Sequence, residues 1–326
     1  MRAACIDIGS NTTRLLVADH VDGSLAAVVQ LRAFTRLGKA CRAGGSLPQE
    51  VVDGLAAVVG EQAAHAREAG ATALRVVATA AVRRAENGAA VCAALEAVAG
   101  VPVELLSGDE EARLAFAGAT WADSAGGASA TGGAAGAGGG DALGVAAGAA
   151  GAGAGRAAGA AAGDAPIGVV DVGGGSSELI VGTRAGGVAW SCSLPLGSGD
   201  LAEAHLRSDP PAAAELDAIR AEVAAALAGV EVPPVTRAVA VGGSATSLRR
   251  LVGPLLDADA LAATVAGLAA LPAERVAAVH DLDPVRVRLL PAGILVLAAV
   301  VERMGPLTVA QGGLREGVVL QLAGAV

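Results

Sequence analysis

Aromatic side chains are almost absent from this sequence, whose 326 residues include two Trp, two Phe and no Tyr. Proteins that bind single-stranded nucleic acids use such rings as platforms on which bases stack. The formal net charge is -9, so the chain also lacks the excess of basic groups that attracts a phosphate backbone. Both shortages argue against nonspecific binding of nucleic acids.

Lysine is equally scarce, because Lys39 is the single one and arginine supplies nearly all of the positive charge. A phosphate-rich ligand would have to be met by a few Arg side chains, whose planar guanidinium presents a fork of donors. The four Cys and four His residues show neither a CxxC pair nor metal-ligand spacing. We therefore expect reduced thiols and no zinc site.

Long hydrophobic runs of bulky residues are missing too. The amino terminus has no basic region followed by an apolar core and a cleavage site, and the later apolar runs are mostly alanine. The length and the 53% apolar content still allow two domains with cores of their own. We expect a soluble, cytoplasmic protein without membrane association.

One eleven-residue pattern is present twice, as DIGSNTTRLLV from Asp7 and as DVGGGSSELIV from Asp171. Apolar runs of period two on either side of a Gly-containing turn predict a β-hairpin with a carboxylate at its tip. Backbone N–H groups and hydroxyls in such a turn form a concavity that binds anions such as phosphate. The groups that would donate are those of Ser10, Asn11, Thr12, Gly173, Gly174, Gly175 and Ser176.

An ordinary tight turn is the alternative for either copy taken alone, because Gly, Asn, Asp and Ser favour turns for local reasons. The two copies match without a gap, however, and internal similarity at long separation indicates a duplicated domain. The paired loops would then face each other across a cleft, where ligands usually bind.

Strand and helix patterns alternate in both halves of the chain, which predicts an α/β fold. The first half has the order βββαβαβα, and its last helix begins at Ser107, which forms a capping-box pattern with Glu110. Residues 124–165 are almost entirely Gly and Ala, and so few side chains cannot bury enough area to offset backbone entropy. We expect a flexible linker there. The second half begins with a strand at Ile167.

Seven segments, in order from residue 5 to residue 318, resemble the exopolyphosphatase and guanosine pentaphosphate phosphohydrolase family, within the superfamily of actin, sugar kinases and heat-shock ATPases. They read CIDIGSNTTRLLVAD, VVATAAVR, LLSGDEEARLAFAGA, VVDVGGGSSELIVG, PLGSGDL, AVGGSATSLRRL and GGLREGV. The Gly/Ala segment is far longer than the usual connection at that place in the family.

The resemblance implies two ribonuclease-H-like domains with catalysis in the cleft between them. Domain I would span residues 1–122 and be joined by a C-terminal helix in residues 314–326. Residues 123–165 would link it to domain II in residues 166–313. A short, two-domain form of the family is expected, since longer members carry extra helical domains after the second one.

Three carboxylates are candidate ligands for Mg²⁺, with Mn²⁺ as the alternative ion. Asp7 and Asp171 would face each other in the cleft, and the resemblance gives Glu178 a metal-associated role. Oxygen ligands of this kind suit Mg²⁺, which keeps several waters and bridges substrate phosphates. The alternative for Glu178 is a solvent-facing position on its strand.

The resemblance also implies that Glu111 is the base that activates water and that Arg83 clamps phosphate. Acids in the first turn of a helix also interact favourably with its dipole, and we assign that simpler role to Glu110. For Arg83 the alternative is an exposed Arg without a task, which suits its neighbour Arg84 better.

A further turn, separate from the two hairpin turns, follows a predicted strand and begins a helix. It contains Gly242, Gly243 and Ser244. The N–H groups of such a turn bind a further phosphate in many proteins. The alternative is a tight turn in which Ser244 caps the helix.

The predicted activity is hydrolysis of the terminal phosphoanhydride bond of inorganic polyphosphate, with guanosine pentaphosphate as a rival substrate that no residue excludes. An ATP-dependent kinase or ATPase of the same superfamily fits less well, because a kinase must exclude water and would not need Glu111. A phosphate or nucleotide sensor would not need that base either. The sequence leaves the oligomeric state open, with a homodimer as one expectation.

Overall fold

The computed structural model describes residues 1–40, 45–121 and 165–325. In this part of the chain, two mixed β-sheets are packed against helices, which confirms the predicted α/β class. The Gly- and Ala-rich segment predicted to be a linker lies outside the described residues, apart from Ala165.

The first sheet is built from the β1–β2–β3 meander and two later strands. Its strands are β1 (Arg2–Ile8), β2 (Thr12–Val21), β3 (Ser24–Phe34), β4 (Ala73–Ala78) and β5 (Val103–Leu105). They lie in the order β3-β2-β1-β4-β5. The meander is antiparallel, whereas β4 and β5 continue the sheet in parallel with β1.

The second sheet repeats this arrangement. Its strands are β6 (Ile167–Val172), β7 (Ser177–Thr183), β8 (Gly187–Leu194), β9 (Arg237–Val241), β10 (Leu255–Leu256) and β11 (Leu307–Val309). They lie in the order β10-β11-β9-β6-β7-β8, so that without the short β10 both order and directions match the first sheet. The repeated sequence motif thus forms corresponding hairpins, β1–β2 and β6–β7, in two ribonuclease-H-like sheets.

The helices of the first half, as far as it is described, are α1 (Leu37–Ala40), α2 (Gln49–Glu68), α3 (Ala80–Arg84), α4 (Gly88–Ala99) and α5 (Gly108–Thr120). Buried side chains recur along α2 at Val52, Leu55 and Val59, the spacing of one helical face. This face and α4 pack on one side of the first sheet, against Ile6 and Leu15 of the central strands.

The helices of the second half are α6 (Ser198–His205), α7 (Ala213–Leu227), α8 (Gly242–Val252), α9 (Ala258–Ala270), α10 (Ala273–His280), α11 (Pro284–Met304) and α12 (Leu314–Leu322). By length and composition α11 could cross a membrane, with a mean hydropathy of 1.9 over its most apolar window. However, 67% of that window is buried, and the helix forms the centre of the large core on one side of the second sheet.

Two helices pack across the division between the sheets. The α5 side chains Ala112, Ala115 and Phe116 contact the second sheet, although α5 belongs by sequence to the first half. Conversely, Val318 and Val319 of α12 pack in the cluster on the other face of the first sheet. The two helices also contact each other, so they connect both sheets behind the cleft.

The long elements agree with the sequence pattern, whereas three of the short helices were not expected. The helix predicted at residues 48–69 is α2, and the one predicted at residues 284–304 is α11. Helices α1, α3 and α6 were not predicted, because helices of four, five and eight residues contain too few turns to show a period.

Candidate active site

The two repeated hairpins present their turns to the same cleft. In the first turn Gly9 N–H donates to Thr12 O at 3.1 Å, and in the second Gly173 N–H donates to Ser176 O at 2.9 Å. The turns touch each other, since a Cβ on Gly174 would lie only 2.7 Å from Asn11 Cβ. The same backbone conformation is thus used twice, and the paired loops predicted from the sequence meet.

The cleft, which we call the catalytic cavity, has a volume of about 150 Å³. It brings together most of the predicted site residues: Asp7, Ser10, Asn11, Thr12, Glu111, Asp171, Gly173, Gly174, Gly175, Ser176, Glu178, Gly242 and Gly243. Arg83 and Ser244 do not line it.

Three of the carboxylates lie on the hairpin strands. Asp7 is near the end of β1, and Asp171 is at the same place on β6, directly across the strand pair from Glu178. Glu178 is 5% exposed and accepts a hydrogen bond from Ser193 Oγ at 3.0 Å. It is therefore not the solvent-facing residue of the alternative interpretation.

Burial raises the pKa of each of these carboxyls. The pKa of Glu178 is raised to about 8 by desolvation and by the charges of Glu111 and Asp171. That of Asp171 is raised to about 6 by desolvation and by Asp7, and the pKa of Asp7 is raised by desolvation. Among the described residues, no three His, Cys, Asp or Glu side chains converge closely enough to enclose a metal ion by themselves.

Glu110 and Glu111 are adjacent but have separate tasks. Glu110 closes the predicted capping box, since its carboxylate accepts from Ser107 N–H at 2.8 Å and its own N–H donates to Ser107 Oγ at 3.3 Å. Glu111 lies one position further along α5, is 7% exposed and lines the catalytic cavity. Desolvation raises the pKa of Glu111 to about 7 against the opposing effect of the Arg83 guanidinium.

Arg83 forms an ion pair with Glu111. It comes from the short helix α3, and its Nη1 donates both to a carboxylate oxygen of Glu111 and to the carbonyl oxygen of Leu106. Its Nη1 is thus engaged by protein groups, and Arg83 does not line the catalytic cavity. Its role as a phosphate clamp stays a prediction. Arg84 is not idle, because Nη2 lies 3.3 Å from Asp200 Oδ2.

The turn after β9 differs from both interpretations of Ser244. The first residue of α8 is Gly242 and its N-cap is Val241, so Ser244 lies inside the helix and does not cap it. Its hydroxyl is fully buried and accepts from Arg286 Nη2 at 3.3 Å. A Cβ on Gly243 would lie 2.6 Å from Arg286 Nη2, so glycine leaves room for a guanidinium there.

Sequence reasoning missed three arginines that line the catalytic cavity, Arg14, Arg286 and Arg315. Arg286 is 5% exposed, and its Nε donates to Ser247 Oγ at 3.2 Å. In the described part of the chain it has no carboxylate partner, and desolvation with the charges of Arg14 and Arg32 lowers its pKa to about 9. Such an uncompensated buried cation is suited to bind an anion.

A second cavity of about 370 Å³ continues from the first and shares Arg14, Arg286 and Arg315 with it. Arg32 and Arg250 also line it, with Asp281 and Asp283 as its acids. We call it the arginine cavity. The hairpin carboxylates line only the catalytic cavity, whereas the shared guanidinium groups line both cavities.

Comparison with known proteins finds one family and one fold. The family model described as the Ppx/GppA phosphatase family matches residues 16–129 and 152–325. Exopolyphosphatase 1 of Mycobacterium tuberculosis is 28% identical over 340 residues, which cover 98% of this chain and 88% of that protein. An uncharacterised protein of Streptomyces coelicolor is 30% identical over 226 residues, which cover 68% of this chain but only 56% of its own length.

Among solved structures, the Ppx/GppA family member of Aquifex aeolicus has a TM-score of 0.74 and 25% identity. The superposition covers 99% of this chain and 97% of that protein. The two-sheet architecture and the cleft are thus those of a known fold, over nearly the whole length of both chains.

Proposed function

We propose that this chain, which belongs to the Ppx/GppA phosphatase family, hydrolyses the terminal phosphoanhydride bond of inorganic polyphosphate with Mg²⁺ and releases orthophosphate. As a member of that family it is a phosphoanhydride hydrolase. The substrate and the metal are the two parts of the proposal that go beyond family membership.

The observation that supports polyphosphate is the continuity of the catalytic cavity with the arginine cavity. A polyanion of several phosphates would place its terminal group at the hairpin loops and its following groups beside Arg14, Arg286 and Arg315. Guanidinium groups bind phosphate through paired hydrogen bonds and keep their charge. A substrate with several successive phosphates matches a site in which arginines line both cavities.

Glu111 is the residue we assign to the attacking water. It is buried beside the loops, and in its deprotonated form it can accept a proton from a water positioned for attack on the terminal phosphorus. Arg83 holds the Glu111 carboxylate from behind. Loop N–H groups of residues 9–12 and 173–176 would donate to the oxygens of the transferring phosphoryl group, whose charge is spread over them.

The three hairpin carboxylates fit a magnesium ion. They offer only oxygen atoms, and their raised pKa values show that they are crowded and desolvated without enough positive charge nearby. One or two of Asp7, Asp171 and Glu178 would contact the ion directly, and waters and substrate oxygens would complete its shell, because no three acids among the described residues enclose an ion by themselves. The bound ion supplies positive charge that offsets the charge of the phosphate oxygens. Mn²⁺ has the same preference for oxygen ligands.

Guanosine pentaphosphate is a second candidate substrate, favoured by the walls of the arginine cavity. Besides its cations, the cavity has Leu31 and Leu282 as apolar surfaces and Gln30 as a neutral polar group. These groups would accommodate a nucleoside attached to the phosphates.

The deciding experiment measures orthophosphate released with Mg²⁺ from short polyphosphate, long polyphosphate, guanosine pentaphosphate and ATP. We expect release from polyphosphate, loss of release in excess EDTA, and little release from ATP. A Glu111→Gln variant serves as the inactive control. Release from guanosine pentaphosphate alone would replace the proposed substrate, and no release from any of the four would reject the proposal.

A further inference from the structure

A third cavity, of about 480 Å³, lies on the other side of the contact between the hairpin turns. It shares Ser10, Asn11 and Gly174 with the catalytic cavity, so these loop residues have one cavity on each side. We call it the rear cavity. The proposed reaction assigns no task to it.

The two cavities are separated by the contact between one residue of each turn, Asn11 and Gly174. A Cβ on Gly174 would lie 2.7 Å from Asn11 Cβ and 3.1 Å from Asn11 N, so the two turns are in direct contact. No hydrogen bond is found for Asn11 Nδ2, a buried amide nitrogen, within the described residues. A small separation of the turns would join the cavities.

Each turn accepts backbone hydrogen bonds from a segment that lines the rear cavity. Gly38 N–H donates to Ser10 O at 2.8 Å, and Arg36 N–H donates to Asn11 O at 3.0 Å. On the other side, the N–H groups of Gly199 and Asp200 donate to Gly174 O at 2.9 and 3.0 Å. The two turns and the walls of the rear cavity are therefore joined by backbone hydrogen bonds.

The charge of the rear cavity favours an anion. Its lining contains Arg36, Lys39, Arg207 and Arg288 against two acids, Asp200 and Glu203. Asp200 is paired with Arg84 at 3.3 Å, and Arg288 is paired with Asp209 at 3.8 Å. Arg36 and Lys39 are exposed and form no ion pair with any residue that the structure describes.

We propose that the rear cavity is an oxyanion site that receives the orthophosphate product and releases it to solvent. The inference rests on the proposed function, in which the shortened substrate still occupies the arginine cavity after cleavage. Orthophosphate leaving through the arginine cavity would have to pass the remaining polyphosphate, which is also negatively charged and would repel it. The rear route passes only the Asn11–Gly174 contact and then meets four cationic side chains.

Binding can be tested at Lys39, because it is the only lysine of the chain. The protein is treated with an amine-reactive reagent in orthophosphate or in chloride of equal ionic strength, and modified peptides are quantified by mass spectrometry. We expect orthophosphate to slow modification of Lys39 several-fold and to leave the Met1 amine unaffected. Protection should be weaker in Arg36→Gln and unchanged in Arg220→Gln, a matched exposed arginine of α7. Equal labelling of Lys39 in both salts overturns the proposal.

The exit role is tested by separating cleavage from release. Acid quench measures bond cleavage in a single turnover, and a fluorescent phosphate sensor measures free orthophosphate. In the double variant Arg36→Gln/Lys39→Gln we expect the parental cleavage rate and several-fold slower release, with Arg220→Gln unchanged in both. Equal slowing of both steps, or of neither, overturns the exit role. Absence of cleavage in the parent would instead reject the proposed substrate, and the labelling result would stand independently.

Discussion

Arg14 and Glu178 occupy the same position in the two repeated hairpins. Arg14 is the cross-strand partner of Asp7 on β1–β2, and Glu178 is the cross-strand partner of Asp171 on β6–β7. One hairpin thus combines an acid with a guanidinium, whereas the other combines two acids. The two hairpins share one pairing pattern, and at this position they differ in the sign of one charge.

The first prediction follows from this difference. Arg14→Gln should raise the KM for polyphosphate without raising the Mg²⁺ concentration for half-maximal activity, because it removes a contact to phosphate and takes a positive charge away from Asp7 and Asp171. Glu178→Gln should raise that Mg²⁺ concentration, because it removes a negative ligand from a hard cation. Titrations of both substrate and metal on each variant provide the check. If Glu178→Gln gives the parental metal curve, the carboxylate has no role in holding the ion.

The second prediction concerns the two neighbouring acids of α5. Glu111→Gln should lower turnover by about two to four orders of magnitude, the usual loss when a positioned base is removed. Glu110→Gln is the matched control and should keep the parental rate, because Gln also completes a capping box. Rates are compared at saturating metal. A Glu111→Gln enzyme as active as the control would remove Glu111 from the mechanism.

The third prediction uses Arg83 to distinguish a positioning residue from a phosphate clamp. Its positive charge lowers the pKa of Glu111 against the effect of burial. Without that charge the base stays protonated to a higher pH, so Arg83→Gln should move the acidic limb of the pH–rate profile upward. A clamp would instead raise KM and leave the limb where it was. The full profile of kcat against pH, for parent and variant, separates the two.

The hairpins could be predicted from the sequence because their information is local. Alternation of apolar residues, a Gly turn and an acid at the tip all lie within eleven residues, and the capping box of Ser107 and Glu110 spans four. The repeated order of the motif then placed both turns at one cleft. Arg14 was missed, although the sequence carried a local signal for it: it occupies the position that Glu178 has in the second copy of the motif.

Other features of the site depend on contacts between distant parts of the chain. Arg286 lies on α11, more than 270 residues after Arg14, and nothing in its local pattern shows that it points into the cleft. The resemblance implied that Arg83 clamps phosphate, but its ion pair with Glu111 joins α3 to α5, which only the folded chain brings together. Ser244 looked like a cap because the helix was expected to begin later than Gly242.

The fourth prediction concerns stability without metal. Folding raises the pKa of Asp171 from 3.8 to about 6, of Glu111 from 4.5 to about 7 and of Glu178 from 4.5 to about 8. A carboxyl with a raised pKa in the folded state contributes stability below its unfolded pKa, and this contribution is lost as pH rises through the folded value. In EDTA, the Tm should therefore fall between pH 5 and pH 8.5.

Glu178→Gln tests the source of that fall, because Gln cannot ionise and keeps an oxygen for Ser193. In EDTA the variant should equal the parent near pH 5 and exceed it near pH 8. Mg²⁺ should reduce the parental fall and have less effect on the variant. Parallel Tm curves for parent and variant would show that other groups cause the pH dependence.

The last prediction concerns the crossing of α5 and α12. Gly118 faces the backbone of α12 so closely that a Cβ there would overlap the carbonyl oxygen of Gly313 and would lie 2.6 Å from Gly317 N. Backbone atoms cannot avoid this overlap by a bond rotation, as the end of a flexible side chain can. Gly118→Ala must therefore push the helices apart, which should cost about 1 to 3 kcal/mol, the usual range for overpacking.

Gly54→Ala is the control for this change. It also replaces a helical glycine, but a Cβ at Gly54 meets nothing within 4 Å. Relieved of the entropy cost of glycine, that variant should gain about 0.5 to 1 kcal/mol. The Tm should thus move in opposite directions for the same Gly→Ala substitution at the two positions, by roughly 2 to 4 °C per kcal/mol for domains of this size.

Because α5 packs on the second sheet and α12 on the first, separating them also changes how the two hairpins meet. We therefore expect Gly118→Ala to lose phosphate release at temperatures where it is still folded, and Gly54→Ala to keep it. A Gly118→Ala protein as stable and active as Gly54→Ala would show that the crossing yields without strain.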